Sequence, residues 1–255
     1  MHAGEQEVLS SEAEGWSGGA CAERYDCEVN RGFYRAVLTR LLDRAPEIRG
    51  RGLDLGCGTG FSTEVLLTRL PAVAWQGVDC SPAMLTIARG KPGLGQVGLH
   101  QANAEALPFA DATFDLVVAN FSWHWFGGGA GQEVRRVLRP DGWLLASVPV
   151  RRLSLARGNR ALAAALLAGR ERFVPRTSQG LRFADVPVIL PGPVRVARHE
   201  LHVESELFVD GREMLDVMSD RGALAAIFGS EPPTSIDAPG PLALDWPFAV
   251  VHLQV

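Results

Sequence analysis

The sequence predicts an α/β fold built on a doubly wound, largely parallel sheet. Three observations carry that prediction. From about residue 25 to residue 150, short apolar runs alternate with helical segments, the pattern of parallel strands joined by crossovers. Two runs, "FDLVVAN" and "WLLASVPV", are almost continuously apolar, as strands covered on both faces are. "LDLGCGTG", Leu53 to Gly60, sets three glycines at alternate positions between a strand-like and a helical stretch, the place where an open sheet receives its ligand.

The elements follow in order. Residues 1–24 are polar and acidic at the start and read as a flexible leader, not a secretory signal. "RYDCEVNRGFYRAVLTRLLDRAP" places Phe33, Val37, Leu38, Leu41 and Leu42 at helical spacing and stops near Pro46. "GLDLG" is a strand and "FSTEVLLTRL" a helix up to Pro71. "VAWQGVD" is a strand, followed by the helix "SPAMLTIARG", with Ser81 as N-cap and Pro82 in its first position. A weaker strand, "VGLHQAN", precedes the two apolar ones. Beyond Val150 the pattern changes to an Ala-rich helical stretch and then the proline-broken "VPVILPGPVRV". After these come an alternating strand "ARHELHVESELF", a helix "DGREMLDVMSDRGALAAIFG" and a terminal strand "LDWPFAVVHLQV". Residues 25–255 are expected to form one domain.

Composition narrows the function class. A chain of 255 residues with 47% hydrophobic and 21% charged residues is long enough for one large core. Its net charge of −4, with no basic block, speaks against a phosphate-tracking nucleic-acid binder. No apolar run reaches the ~18 residues a membrane helix needs, so neither nucleic acid nor membrane is an expected partner and a cytoplasmic setting is. Nothing in the sequence sets an oligomeric state. Cys21, Cys27, Cys57 and Cys80 match no common zinc spacing, so they read as reduced thiols and no metal is expected.

The glycines raise the central question, because several together are entropically costly without a turn or a close ligand. The spacing Gly56, Gly58, Gly60 is G-x-G-x-G, not the G-x-G-x-x-G of a dinucleotide site, which disfavours a nicotinamide oxidoreductase. No Lys-Ser or Lys-Thr follows, which excludes a P-loop. Asp54 ahead of the turn suits a ligand carrying a cation, and Asp79 closing "WQGVD" suits the two hydroxyls of a ribose. For each there is a plainer reading: the glycines as a tight turn, Asp79 as a charge for the next helix, Met84 as core.

"LDLGCGTG", "GVDCSPAMLTIAR", "NAEALPF", "FDLVVAN" and "RVLRPDGWLL" follow one another in an order and spacing that resembles class I S-adenosylmethionine-dependent methyltransferases of the small-molecule group. The resemblance covers about Tyr25 to Val150. It implies a Rossmann-like seven-stranded sheet, mostly parallel with an antiparallel C-terminal strand. It also implies a helical substrate-lid insertion, residues 151–198, between strands five and six. The implied cofactor is S-adenosyl-L-methionine. Asp54, Gly56, Cys57, Gly58 and Gly60 would hold its methionine part, Asp79 its ribose, and Cys80 and Met84 would lie against sugar or adenine. Asn103 and Ala104 would meet the adenine edge, Asn120 would lie under the methionine end, and Tyr25 would close over the site. Asn103 stands where many relatives carry Asp, and its carbonyl oxygen still accepts from the adenine amino group.

The layout is similar to trans-aconitate and malonyl-carrier-protein carboxyl methyltransferases, so a small-molecule or carrier-bound acceptor is implied, with a carboxylate oxygen favoured. N- or C-methylation of a specialised metabolite is the alternative, and a non-catalytic cofactor-binding protein the alternative of another class. "FSWHWF" supplies the candidate acceptor pocket, Trp123, His124 and Trp125, with His124 the candidate catalytic base. The "GGGAG" after it departs from the family, where a helix begins sooner, and reads as a loop or part of a lid. Arg157, Arg160, Arg170 and Arg172 in the insertion could pair with an anionic acceptor; Arg135, Arg136 and Arg139 read as a solvated helix face.

Overall fold

The computed structural model describes residues 19–149, 189–220 and 242–255. Two N-terminal helices, α1 (Gly19–Tyr25) and α2 (Glu28–Leu42), precede the alternating core. That core runs β1 (Gly50–Leu55), α3 (Phe61–Arg69), β2 (Val73–Asp79), α4 (Pro82–Gly90), β3 (Gly98–Gln101), β4 (Phe114–Asn120), α5 (Ala130–Val137) and β5 (Leu138–Pro149). It closes with β6 (Arg195–Phe208), α6 (Gly211–Asp220) and β7 (Leu242–Gln254).

The seven strands lie in the order β3-β2-β1-β4-β5-β7-β6. Pairs from β3 through β5 are parallel, and β7 runs antiparallel to both neighbours. The chain steps outward from β1 to β3, then returns to the other side of β1 for β4, so the carboxyl end of β1 is a topological switch point. The expected seven-stranded, mostly parallel sheet with one reversed C-terminal strand is therefore the observed one.

Strand alternation divides the core into two layers. Leu53 and Leu55 pack in the layer holding Val117, Ala119, Val134 and Val251. Leu116, Val118, Phe248 and Val250 face the layer of α2 and α3, with Phe33, Val37, Leu41 and Leu66. Fully burying such side chains contributes about 1.5–3 kcal/mol each. Asp54, between Leu53 and Leu55, is thereby carried toward α3, whose Thr63 meets it.

Helix boundaries follow local chemistry. Ser81 Oγ accepts the Met84 N–H at 3.3 Å with Pro82 in the first turn, the cap read from the sequence. Gly60 enters α3 at φ +90°. Where the sequence reading runs a leader to residue 24, a helix already starts at Gly19 and Ala22 in it is fully buried. Similarly, the last four residues assigned to the lid, Arg195 to Arg198, open β6. Most of that insertion, with Arg157, Arg160, Arg170 and Arg172, lies outside the described residues. Among the described residues, no helix is long and apolar enough to cross a membrane.

Candidate active site

The glycine turn caps β1 at the switch point. Gly56 (φ +72°), Gly58 (φ +54°) and Gly60 (φ +90°) all hold left-handed backbone that an L side chain adopts only with strain. The Gly56 and Cys57 amides both donate to Val78 O, at 2.8 and 3.0 Å, locking the turn to β2. A Cβ on Gly56 would lie 2.6 Å from Ser122 Cβ and 3.1 Å from Phe126 Cζ, whereas one on Gly58 would meet nothing within 4 Å. Gly56 is thus bare because the turn after β4 backs onto it. Gly58 faces open space.

Two carboxylates flank this turn. Asp79 Oδ2 accepts the Gly58 N–H at 2.8 Å and Oδ1 accepts the Ser81 N–H at 2.9 Å. Burial raises its pKa against these hydrogen bonds. Asp54 is 1% exposed, and its Oδ2 accepts from Thr63 Oγ1 at 2.7 Å. Burial pushes its pKa up to about 7, opposed by the Thr63 hydrogen bond and reinforced by the Asp79 charge. Its Oδ1 is buried with no partner, as is the hydroxyl of Thr59 in the glycine turn itself. An unsatisfied buried carboxylate oxygen costs free energy until a donor arrives.

The remaining candidates divide. Cys57 is buried with Sγ beside Gly77, and Cys80 is exposed. Burial raises both thiol pKa values, aided by nearby aspartates. Met84 is 4% exposed, and Ala104 is also buried, in the β1–β4 layer. Asn103 is exposed, with Oδ1 accepting the Glu105 N–H at 3.0 Å. Asn120 is engaged within the protein: Nδ2 donates to Tyr34 O (3.1 Å) and Ser62 Oγ (2.9 Å), and Oδ1 accepts from Ser147 Oγ (2.8 Å). It binds α2, α3 and β5 to the end of β4. Tyr25 stacks on Phe61, the first residue of α3, at 5.9 Å between centroids. The strand order β3-β2-β1-β4 brings Asn103, Asp79, Asp54 and Asn120 to four consecutive strand ends.

The turn Trp123–Trp125 follows β4 as one 3-10 turn, reached through Phe121 at φ +54°. Trp123 is 8% exposed, packed 5.7 Å from Phe126, and belongs to the core wall. The His124 ring lies between Phe121 (5.6 Å) and Trp125 (4.9 Å). Its Nδ1 is buried without a partner, and desolvation lowers its pKa to about 3, so the imidazole is neutral at physiological pH.

Several contributors carry no sequence signal. Ser122 Oγ donates to Leu55 O at 2.7 Å, tying the turn after β4 to β1. Lys91 Nζ pairs with Asp26 at 2.8 Å and lies 4.2 Å from the Phe61 ring centroid, fastening the corner between α1 and α2. The reading of Arg136 as solvated is corrected, whereas Arg139 is exposed as expected. Arg136 pairs with Glu133 and Asp111 and donates to Leu107 O (3.1 Å) and Phe109 O (2.7 Å), and Glu133 Oε2 accepts the Leu107 N–H at 2.8 Å. Arg136 lowers the Glu133 pKa. Arg139 grips both Asp115 oxygens. Carbonyls and Asp111 of the loop before β4, and Asp115 inside β4, take up these cations.

Residues 53–146 match the family described as Methyltransferase domain. The chain is 37% identical over 148 residues to malonyl-acyl-carrier-protein O-methyltransferase of Halorhodospira halophila, over 56% of this chain and 50% of that protein. It is also 37% identical over 134 residues to trans-aconitate 2-methyltransferase of Acidovorax sp., over 51% and 48%. The chain thus spans about half the length of the curated relatives it matches. Among solved structures, a SAM-dependent methyltransferase from Aquifex aeolicus superposes with TM-score 0.57 at 16% identity, over 93% of this chain and 99% of that one. The cyclase SpnF superposes with TM-score 0.53 at 19% identity, over 88% and 81%. Such likeness speaks for the fold, while the reaction lies in the site.

Proposed function

We propose that the chain is a class I S-adenosylmethionine-dependent methyltransferase and that it transfers the sulfonium methyl group to an oxygen of a small-molecule or carrier-bound acceptor, a reading supported by the methyltransferase-domain match over residues 53–146. One observation carries the reading: the buried, unpartnered Asp54 Oδ1 beside a glycine turn whose Gly58 faces open space. That pairing fits a ligand with an ammonium group and a chain that lies flat on backbone. Asp54 and the turn would hold the methionine part, and the Thr59 hydroxyl is a further unpartnered polar group there. Asp79, already oriented by Gly58 and Ser81, would take the ribose hydroxyls on its remaining lone pairs. Asn103 would meet the adenine edge, and Cys80, the exposed neighbour of Asp79, the sugar. Asn120 acts by holding α2, α3 and β5 around the site. When bound, the cofactor supplies an activated methyl group to an in-line displacement.

The protein's part is to orient the two reactants and exclude water. A carboxylate acceptor arrives ionised and needs no base, and the malonyl and trans-aconitate relatives favour it. His124 favours a second reading, transfer to a hydroxyl, nitrogen or carbon that must lose a proton. Its Nδ1 has no partner and could take that proton, but burial holds its pKa down to about 3, a weak base, which keeps this reading second.

Calorimetric titration with S-adenosylhomocysteine, with NADH as control, tests the donor. Binding of the first alone is the expected outcome; binding of neither at millimolar concentration overturns the reading. Asp79→Ala should weaken that binding by several-fold to a hundredfold, from charged hydrogen bonds worth about 1.5–3 kcal/mol. Unchanged affinity in a folded Asp79→Ala protein would remove the ribose assignment.

A further inference from the structure

The glycine run after the aromatic turn, which departs from the family pattern, has a structural partner. Glu105, two residues beyond Asn103, extends its carboxylate into that run, and Oε1 accepts the Gly129 N–H at 2.9 Å. A Cβ on Gly127 would clash with Glu105 Oε1 and lie 2.6 Å from its Cδ, and one on Gly129 would touch Oε1 at 3.4 Å. A Cβ on Gly128, between them, would meet nothing within 4 Å. Glycine at 127 is therefore bare because the carboxylate occupies the place of its side chain. None of the three holds a positive φ, so turn geometry does not account for them.

Both ends of this contact are tied to candidate site loops. On one side, the Glu105 backbone N–H donates to Asn103 Oδ1 at 3.0 Å, and the Ala106 N–H to Asn103 O at 3.0 Å, so Asn103 and Glu105 form one short turn. On the other, the Ala130 N–H donates to Gly127 O and the Phe126 N–H to Trp123 O, which joins the glycine run to the aromatic turn. An anion at Gly129 also suits the start of α5, where the first amides carry positive partial charge.

We propose that Glu105 is a positioning residue that straps the loop after β3 to the loop after β4, so that a cofactor engaging Asn103 sets the position of the Trp123–Trp125 turn facing the acceptor. The strap rests on the methyl-transfer reading, because it needs a ligand at Asn103. Its role is to make the acceptor wall respond to donor occupancy, and by linkage acceptor binding changes donor affinity by the same factor. One exposed, charge-assisted hydrogen bond supports coupling at the low end of the usual range, about fivefold in affinity.

Tryptophan emission under titration with S-adenosylhomocysteine tests it, with calorimetry on the same samples. In the wild-type chain, ligand binding should shift emission, and Trp125→Phe should remove most of that shift. Gly127→Ala displaces only the far end of a flexible carboxylate, so the variant should fold. It should bind S-adenosylhomocysteine within about fivefold of wild type yet lose the shift, as should Glu105→Ala. Gly128→Ala, whose methyl group enters open space, should keep both. A shift that persists in Gly127→Ala and Glu105→Ala, or that is absent from wild-type protein shown by calorimetry to bind, overturns the strap alone. Wild-type protein that does not bind S-adenosylhomocysteine overturns the methyl-transfer reading and the strap with it.

Discussion

The turns after β1 and β4 stand back to back, with Ser122 and Phe126 against Gly56, yet they are built from opposite materials. The first is backbone: three left-handed glycines, amides bonded to Val78 O and Asp79, and one buried carboxylate oxygen left over. The second is rings: Trp123, His124, Trp125 and Phe126 around a strained Phe121, with one imidazole nitrogen left over. A backbone site tolerates little change, because its shape is a set of dihedral angles. A ring site can be recut one side chain at a time while its backbone stays. On the proposed reading the difference follows the ligands, a fixed donor on the first turn and a variable acceptor on the second.

The sharpest way to break the comparison is Gly56→Ala. The left-handed φ costs on the order of 1–3 kcal/mol, and the overlap with Ser122 forces a repacking cost of similar size. The variant should lose several degrees of thermal stability and bind S-adenosylhomocysteine at least about 100-fold more weakly, since both turns shift. Wild-type affinity in this variant would mean that the glycine turn is not the binding surface.

A somewhat smaller effect concerns the leftover oxygen of Asp54. Its folded pKa of about 7 lies above the ordinary carboxylate value, so the folded protein holds a proton that the unfolded chain releases. Stability should therefore fall as pH rises from about 4 to about 7, and a few kcal/mol is at stake. His124 acts oppositely: its folded pKa near 3 makes stability fall as pH drops from about 6.5 toward 3. The two slopes nearly cancel between pH 4 and 6.5, so wild-type stability should be flatter with pH than that of a protein lacking the Asp54 carboxyl. Denaturant titrations of Asp54→Asn should show stability rising with pH through that window, and a flat difference from wild type would discard the buried-acid account. A ligand that brings an ammonium to Asp54 should also bind more tightly as pH rises through 7.

These two turns differ as much in legibility. Gly56, Gly58, Gly60, Asp54 and Asp79 can be read from the sequence because each stands in a local pattern of strand end, turn or helix start, even where its contact is distant, as between Asp79 and Gly58 across 21 positions. Ser81 and Pro82 announce α4 in the same way. What holds the other loops is contact at long sequence separation. Lys91 reaches Asp26 across 65 positions, Ser122 reaches Leu55 across 67, and Arg136 reaches Phe109 O across 27. No periodicity encodes such pairs, which is why Arg136 reads as a solvated cation and the run of glycines at 127–129 as slack loop. The place of β6 outside β7 is hidden for the same reason, since it depends on how a chain of non-local pairings closes.

His124 gives the smallest expected effect and the most discriminating one. If the acceptor is a carboxylate, no proton has to leave, and His124→Ala should lower kcat by less than about tenfold, through lost packing between Phe121 and Trp125. If the acceptor is a hydroxyl, an amine or a carbon acid, removing the base should cost about 100-fold or more in kcat. In either case, affinity for S-adenosylhomocysteine should change little, because the ring belongs to the turn after β4 and the proposed cofactor surface to the turn after β1. Steady-state kinetics on an acceptor panel with labelled donor, paired with calorimetry, separates these outcomes. Parallel losses in kcat and in cofactor affinity would show that the two turns act as one surface, and the division between a backbone-built donor side and a ring-built acceptor side would fall.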